Sequence, residues 1–128
     1  MAKEVRKSEA QQYLKQADEF LAESRSAMDN SRYNVAGFVG VQAMINANDA
    51  LTIHHLEKRA SSDHREALTL HTEFVKKTGD GSQKDRLRDA LQIRNNAGYM
   101  GEALSKGDAE RVVRIASNFV EWVKKSIK

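Results

Sequence analysis

The sequence predicts an all-α protein, and three observations carry that expectation. No proline occurs in 128 residues, where average usage would give roughly six. Proline is the usual punctuation of turns and edge strands, so its absence suits an all-helical chain. Ala, Glu, Lys, Leu, Gln and Arg are abundant, and these are strong helix formers. Apolar residues recur at i, i+3, i+4 and i+7 in separate stretches, four long and one short. At this length, one compact domain with a single core is expected over residues 1–128, with about 1–8 as an N-terminal tail.

The first helix is expected from about Ser8 to Asp29, with Ala10, Tyr13, Leu14, Ala17, Phe20, Leu21, Ala27 and Met28 on one stripe. Asp29, Asn30 and Ser31 then supply turn residues in succession. The second helix runs from Arg32 or Tyr33 to about Arg59. It carries a line of small residues, Ala36, Gly40, Ala43, Ala47 and Ala50, that lets another helix backbone come close. Gln42, Asn46 and Asn48 add amides to this mostly apolar helix. Buried amides need hydrogen-bond partners, here from a neighbouring helix or from a second copy of the chain.

Ser61, Ser62 and Asp63 read as the cap of a third helix, Asp63 to about Lys77, with Ala67, Leu68, His71, Phe74 and Val75 on its apolar face. The run Thr78 to Ser82 is a loop whose glycines permit positive φ. No strand precedes it, so it is not a phosphate-binding loop of the P-loop or dinucleotide type. A short fourth helix from about Gln83 carries Arg94 and is loosened by Gly98 and Gly101. Ser105 to Asp108 caps the last helix, which packs on Val112, Ile115, Ala116, Phe119, Val120, Val123 and Ile127.

Composition excludes several classes. Without cysteine there is no disulfide and no thiolate metal site. The charged start, Met1 to Lys7, leads into no apolar run, and no stretch approaches the ~18 apolar residues of a membrane span. The expected setting is the cytoplasm, with no membrane partner. A net charge of +3, from 21 basic and 18 acidic residues, permits nucleic-acid contact without demanding it. Lys76, Lys77, Lys84, Arg86 and Arg88 form one basic group, and Lys124, Lys125 and Lys128 form another. For each group alone, a solvated helix face or end is the more ordinary reading.

The most informative stretch is Arg94-Asn95-Asn96-Ala97-Gly98-Tyr99. Leu87, Ala90 and Leu91 share one helical face, and the next position on that face is Arg94. A guanidinium stays charged, so burying it requires partners. Arg94 is therefore paired, at a cavity or at an interface; otherwise the helix frays there and it faces water. The two asparagines that follow are poor mid-helix residues. Four histidines do not make a metal site. His54 and His55 are adjacent on a helix and diverge by about 100°, while His64 and His71 lie two turns apart. His71 reads as a core histidine, and His64 falls in a first helical turn, where the dipole favours the neutral ring. No metal and no cofactor are expected. If the chain does chemistry, Arg94 clamps a phosphate, Asn95 orients an oxygen, and Tyr99 transfers a proton or stacks on a base.

Several pieces, taken in order, match a known pattern. Tyr13 to Leu21 looks like an opening helix, and Tyr33-Asn34-Val35-Ala36 through Val41-Gln42-Ala43 to Ala50-Leu51 like an alanine-rich second helix. His64, then Phe74-Val75-Lys76-Lys77-Thr78-Gly79, then Leu87 through Tyr99 complete it. From about Tyr13 to Ile127 the chain resembles the HEPN superfamily (higher eukaryotes and prokaryotes nucleotide-binding), as a small stand-alone prokaryotic member. The resemblance implies an up-and-down four- to five-helix bundle and a homodimer packed around the arginine-bearing helices. It also implies a composite, metal-independent ribonuclease site built on Arg-x4-6-His, often with Asn after the arginine. Arg94 and Asn95 match. Tyr99 stands where the histidine is expected, and no histidine follows it. Small members with this arginine-to-tyrosine form resemble partners of minimal nucleotidyltransferases in two-component, toxin-antitoxin-type systems.

Three functional expectations follow. The first is a homodimer that binds RNA, a nucleotide or a cognate partner (a minimal nucleotidyltransferase or an antitoxin) through a cleft around Arg94, Asn95 and Tyr99. Lys76, Lys77 and Arg88 would add nucleic-acid contacts. The second is an active endoribonuclease toxin, with Tyr99 or His64 replacing the missing base. The third is a structural dimerisation module in which Arg94 is an interface ion pair.

Overall fold

The computed structural model describes residues 2–60, 64–99 and 103–127, with the side chains of 64 and 97–99 outside that description. Among the described residues there are five α-helices: α1 (Ala10–Asp29), α2 (Tyr33–Leu56), α3 (His64–Thr78), α4 (Lys84–Tyr99) and α5 (Lys106–Ser126). The protein is an all-α helical bundle. The expected cap Ser61-Ser62-Asp63 and Gly101 lie outside the described residues.

α2 sits at the centre because it is apolar around most of its circumference, a composition that only a buried helix tolerates. Val41, Met44, Ala47 and Leu51 of α2 pack with Leu14, Ala17 and Leu21 of α1 and with Val112, Ala116, Phe119, Val120 and Val123 of α5. The small-residue line is what lets them close. A Cβ on Gly40 would lie 3.0 Å from both Ser24 Oγ and Val112 Cγ1. Ser24 Oγ donates to the Ala36 carbonyl at 2.7 Å, which satisfies the buried hydroxyl. Ser105 caps α5 by accepting from the Asp108 N–H at 3.0 Å, as the sequence implies.

Two boundaries differ from the sequence reading. α2 ends at Leu56, short of Arg59, because Glu57 turns left-handed (φ 56°). Lys58–Arg59 then forms a two-residue strand, β2, that pairs antiparallel with β1 (Lys3–Glu4). Val5 N–H also donates to the Glu57 carbonyl at 2.9 Å. So the segment expected as a tail is stitched to the end of α2. α4 is not short: it has 16 residues against 15 in α3.

The order of contacts fixes the chain direction. Asn48 of α2 meets Ala67, and His55 further along α2 meets Lys77. α3 therefore runs alongside α2 in the same sense, and the chain doubles back through 57–60 before α3 begins. α4 returns antiparallel to α3, and α5 antiparallel to α4, with Arg111 on α5 bonded to Asp89 on α4 at 2.9 Å.

The buried amides of α2 find partners inside the chain. Asn48 Nδ2 donates to the Ala67 carbonyl at 2.9 Å, and Asn48 Oδ1 accepts from His71 Nδ1 at 2.8 Å. Gln42 Nε2 donates to Asn46 Oδ1 at 3.1 Å. His71 is fully buried among Phe74, Phe119 and Trp122. Burial pushes its imidazole down to about 4, so the ring is neutral with its proton on Nδ1. Nε2 has no partner among the described residues, so this core histidine is satisfied on one side only.

Candidate functional site at the end of the α3–α4 hairpin

Arg94 is positioned by the residues below it. Leu87, Ala90 and Leu91 are sealed in the core, which fixes the rotation of α4 about its axis. The same face then delivers Arg94 toward α2. Its guanidinium carbon lies 5.7 Å from the centroid of the Phe38 ring, a cation–π arrangement. Arg94 is half-buried. α4 continues to Tyr99, so the helix does not fray at the arginine.

Asn95 is the next residue, about 100° further round the helix, and it faces a different surface. With Gln92, Asn96, Arg88 and Leu91 of α4 and Arg65 and Leu68 of α3, it lines a groove of about 350 Å³. The expected single cleft around Arg94, Asn95 and Tyr99 is thus divided. Arg94 lies on the α2 side of α4, while Asn95 lies on the α3 side. Neighbouring positions on a helix point about 100° apart, and here Arg94 turns to Phe38 while Asn95 turns to the groove. Tyr99 is the last residue of α4 and His64 the first of α3; their side chains lie outside the described residues. The antiparallel hairpin brings those two ends of the chain together, since Arg65 shares the groove with Asn95 and Asn96.

The groove has a definite chemistry. Leu68 and Leu91 supply apolar surface, three side-chain amides supply donors and acceptors, and Arg65 and Arg88 supply positive charge. Among the described residues no carboxylate lines the groove. Arg88 Nη1 pairs with Asp85 at 2.8 Å, with both side chains largely exposed. Such a surface pair contributes little, so the guanidinium can exchange it for another anion.

Lys76 and Lys77 belong to the other end of α3. At 1.5 Å per residue they are roughly 16 Å along the helix from Arg65. Lys77 Nζ donates to the His55 carbonyl in the last turn of α2, a cation at a helix C-terminus. Lys76 is exposed. The structure does not bring these lysines to Arg94 or Asn95.

The histidine pair at that end makes no metal site. His54 and His55 meet edge-on with centroids 4.8 Å apart, and His55 Nε2 lies 3.1 Å from the Ser126 carbonyl. Partial burial is the main cause lowering both pKa values; Lys7 and Lys77 push the same way. Among the described residues no group of three His, Cys, Asp or Glu side chains could hold a metal ion.

Sequence reasoning overlooked three residues. Phe38 is invisible as a partner of Arg94, because nothing in a one-dimensional pattern pairs positions 38 and 94. Arg65 reads as one more surface cation until the hairpin sets it opposite Asn95. Asp49 sits in plain sight beside Asn48, yet it differs from the amides around it. Its carboxyl is buried and Oδ1 has no partner among the described residues. Burial raises its pKa to about 7, against the lowering effect of the Ala60 backbone N–H and Arg59. A charged residue inside a helix of alanines and leucines was the available signal.

Among the described residues no helix is long and apolar enough to cross a membrane. No curated protein matches the chain. Residues 10–126 match the family described as HEPN domain, a span that opens with α1 and closes with α5; the chain belongs to the HEPN family.

Proposed function

We propose that this HEPN domain is a homodimer that binds RNA through the C-terminal half of α4, with Arg94 as the principal phosphate contact. The observation that carries the reading is the placement of Arg94. A half-buried guanidinium held against the Phe38 ring is pre-oriented, and an oriented guanidinium binds phosphate bidentately. Asn95 and Arg88 on the adjacent flank of α4 add an amide and a second cation. The second copy is supported by the α2 surface beside Arg94. Val35 is 48% exposed, and Phe38 and Val39 are only half-buried. Covering that apolar strip with its counterpart sets two Arg94 side chains near one shared cleft. A two-component role beside a minimal nucleotidyltransferase or an antitoxin belongs to the same proposal, with Lys76 and Lys77 as outlying contacts.

A second reading has one specific support. The hairpin places the first residue of α3, His64, at the same end as the last residue of α4, Tyr99. Those residues with Arg94 would make a metal-independent endoribonuclease site. Tyrosine is the weaker base of the two, since its unperturbed phenol has a pKa of ~10.

One experiment separates the readings. The purified chain and Arg94→Ala are incubated with total RNA in EDTA, and binding is measured across a salt series. The expected result is salt-sensitive binding that weakens in Arg94→Ala, with a log–log slope shallower by roughly 0.7 per lost phosphate contact. Cleavage that disappears in the variant selects the ribonuclease. Equal RNA binding by both proteins, with only the variant monomeric, rejects the RNA reading in favour of a dimerisation module.

A further inference from the structure

We infer that Leu104 is a positioning latch: seated over Gly37 and hydrogen-bonded to Asn34, it holds the end of α4 so that Arg94 stays against Phe38. The latch's effect on affinity rests on the RNA-binding reading of Arg94; its effect on the placement of Arg94 does not.

The need for a latch comes from where packing stops. Leu87, Ala90 and Leu91 fix α4 from below, but Gln92 to Asn96 are half-buried or exposed. Arg94 thus lies about one turn beyond Leu91. Among the described residues, the next side chain sealed in the interior is Leu104, in the connection to α5.

Leu104 is held to α2 twice. Its N–H donates to Asn34 Oδ1 at 2.7 Å. Its side chain fills the space beside Gly37, where an added Cβ would overlap Leu104 Cδ1. Among the described residues outside α2, only Leu104 comes within 4 Å of that position. A mid-helix glycine is ordinarily unfavourable; at position 37 it makes the slot. A residue just before a helix cap commonly packs back on the helix it starts. Leu104, which precedes the cap Ser105, reaches across to α2.

Latch and arginine share one turn of α2. Asn34 and Phe38 are four residues apart, so they stand on the same face. The chain from 94 to 104 is pinned to that turn at both ends, by the Arg94–Phe38 contact and by the Asn34–Leu104 bond. Releasing the Leu104 end returns freedom to the other. A guanidinium that is no longer pre-oriented must then be ordered when phosphate binds.

The test reads Arg94 directly, by proton NMR of the full chain. The Phe38 ring should displace the Arg94 side-chain proton resonances from their ordinary positions, and Phe38→Leu should abolish that shift. Leu104→Ala and Gly37→Val should lose most of it. Asn34 is exposed, so Asn34→Ala should fold even if those two do not, and it should lose part of the shift. Leu104→Met, a volume-conserving change, should keep it. So should Leu14→Ala, which opens a cavity in the core roughly 15 Å along α1 from Ser24; Ser24 marks the level of Ala36. Melting curves check that each variant is folded. With a short single-stranded RNA, the latch variants should bind about 2–12-fold more weakly than the parent, the range for freeing one rotamer-rich side chain. Combined with Arg94→Ala, they should add less than about twofold to its loss.

Three results overturn the inference. One is an Arg94 shift that is absent in the parent or survives in the latch variants. Another is equal loss of the shift in Leu14→Ala, which makes the effect a general loosening of the bundle. A third is loss of the shift with RNA binding unchanged while Arg94→Ala weakens it, which separates the placement from the contact. RNA binding that Arg94→Ala leaves unchanged removes the RNA reading; the latch then stands or falls on the proton shifts alone.

Discussion

Along α5, Val112, Ala116, Phe119, Val120 and Val123 are all sealed against α1 and α2. Along α4, burial stops at Leu91, and the next described side chains are Gln92, Ile93, Arg94, Asn95 and Asn96, half-buried or exposed. The two helices differ in length by five residues, yet they do different work. α1, α2 and α5 close on one another through small residues and apolar side chains. The α3–α4 hairpin docks on that platform through Phe74, Leu87, Ala90 and Leu91 and also through the Asn48–His71 bond, the Arg111–Asp89 pair and the Asp80–Trp122 contact. A platform that depends on packing tolerates little change. A hairpin attached partly through polar contacts leaves its free end available to a ligand.

That contrast can be broken most severely at Phe119, which is fully buried between the ring cluster and the core. Phe119→Ala is expected to cost about 3–5 kcal/mol by urea unfolding. Leu68→Ala, in the half-buried hairpin groove, should cost no more than about 2 kcal/mol. Equal losses would mean that hairpin and platform form one uniformly packed core.

The pH dependence sharpens the same contrast at the seam. His71 has a folded pKa of about 4 against an ordinary 6.5. Its contribution is present above pH 6.5 and is lost as pH falls toward 4. Asp49 has a folded pKa of about 7 against 3.8. Its contribution is present below pH 3.8 and is lost as pH rises through 7. Between these limits the two slopes oppose each other. Asp49→Asn removes one of them. Its stability relative to the parent should be greater at pH 8 than at pH 5 by about 2–4 kcal/mol. A difference that does not change with pH contradicts a buried, proton-bearing Asp49.

The smallest effect belongs to the loop that closes the hairpin. Trp122 Nε1 donates to Asp80 Oδ2 at 3.2 Å, and Ser82 holds the other carboxylate oxygen. Trp122→Phe should cost about 0.5–1.5 kcal/mol, read from the unfolding midpoint. A larger loss would show that the loop anchors the hairpin more than its helices do.

α1, α3 and α5 were legible because each keeps an apolar period, and α5 also has its Ser105 cap; α2 was legible from its long, alanine-rich apolar run. Ser105 and the Val112 to Ile127 stripe were placed correctly from spacing alone. The end of α2 was not, since only the left-handed turn at Glu57 and the pairing of Lys3–Glu4 with Lys58–Arg59 set it. Both are long-range effects. At the site, Arg94 was visible as a cation on an apolar ridge. Its partner Phe38 was not, and neither was the divergence of Asn95 toward Arg65. The Lys76–Lys77 pair shows the opposite error: two basic residues next to a site in a list of candidates, yet at the far end of the helix in space.

Amide chemical-shift mapping of the full chain, titrated with a short single-stranded RNA, compares the two regions in one spectrum. The expected result is a set of large shifts around Phe38 and along residues 91–96, which Arg94→Ala abolishes, with the α1 and α5 amides undisturbed. Shifts concentrated on α1, on α5 or around Lys76 and Lys77, with the end of α4 silent, would contradict it.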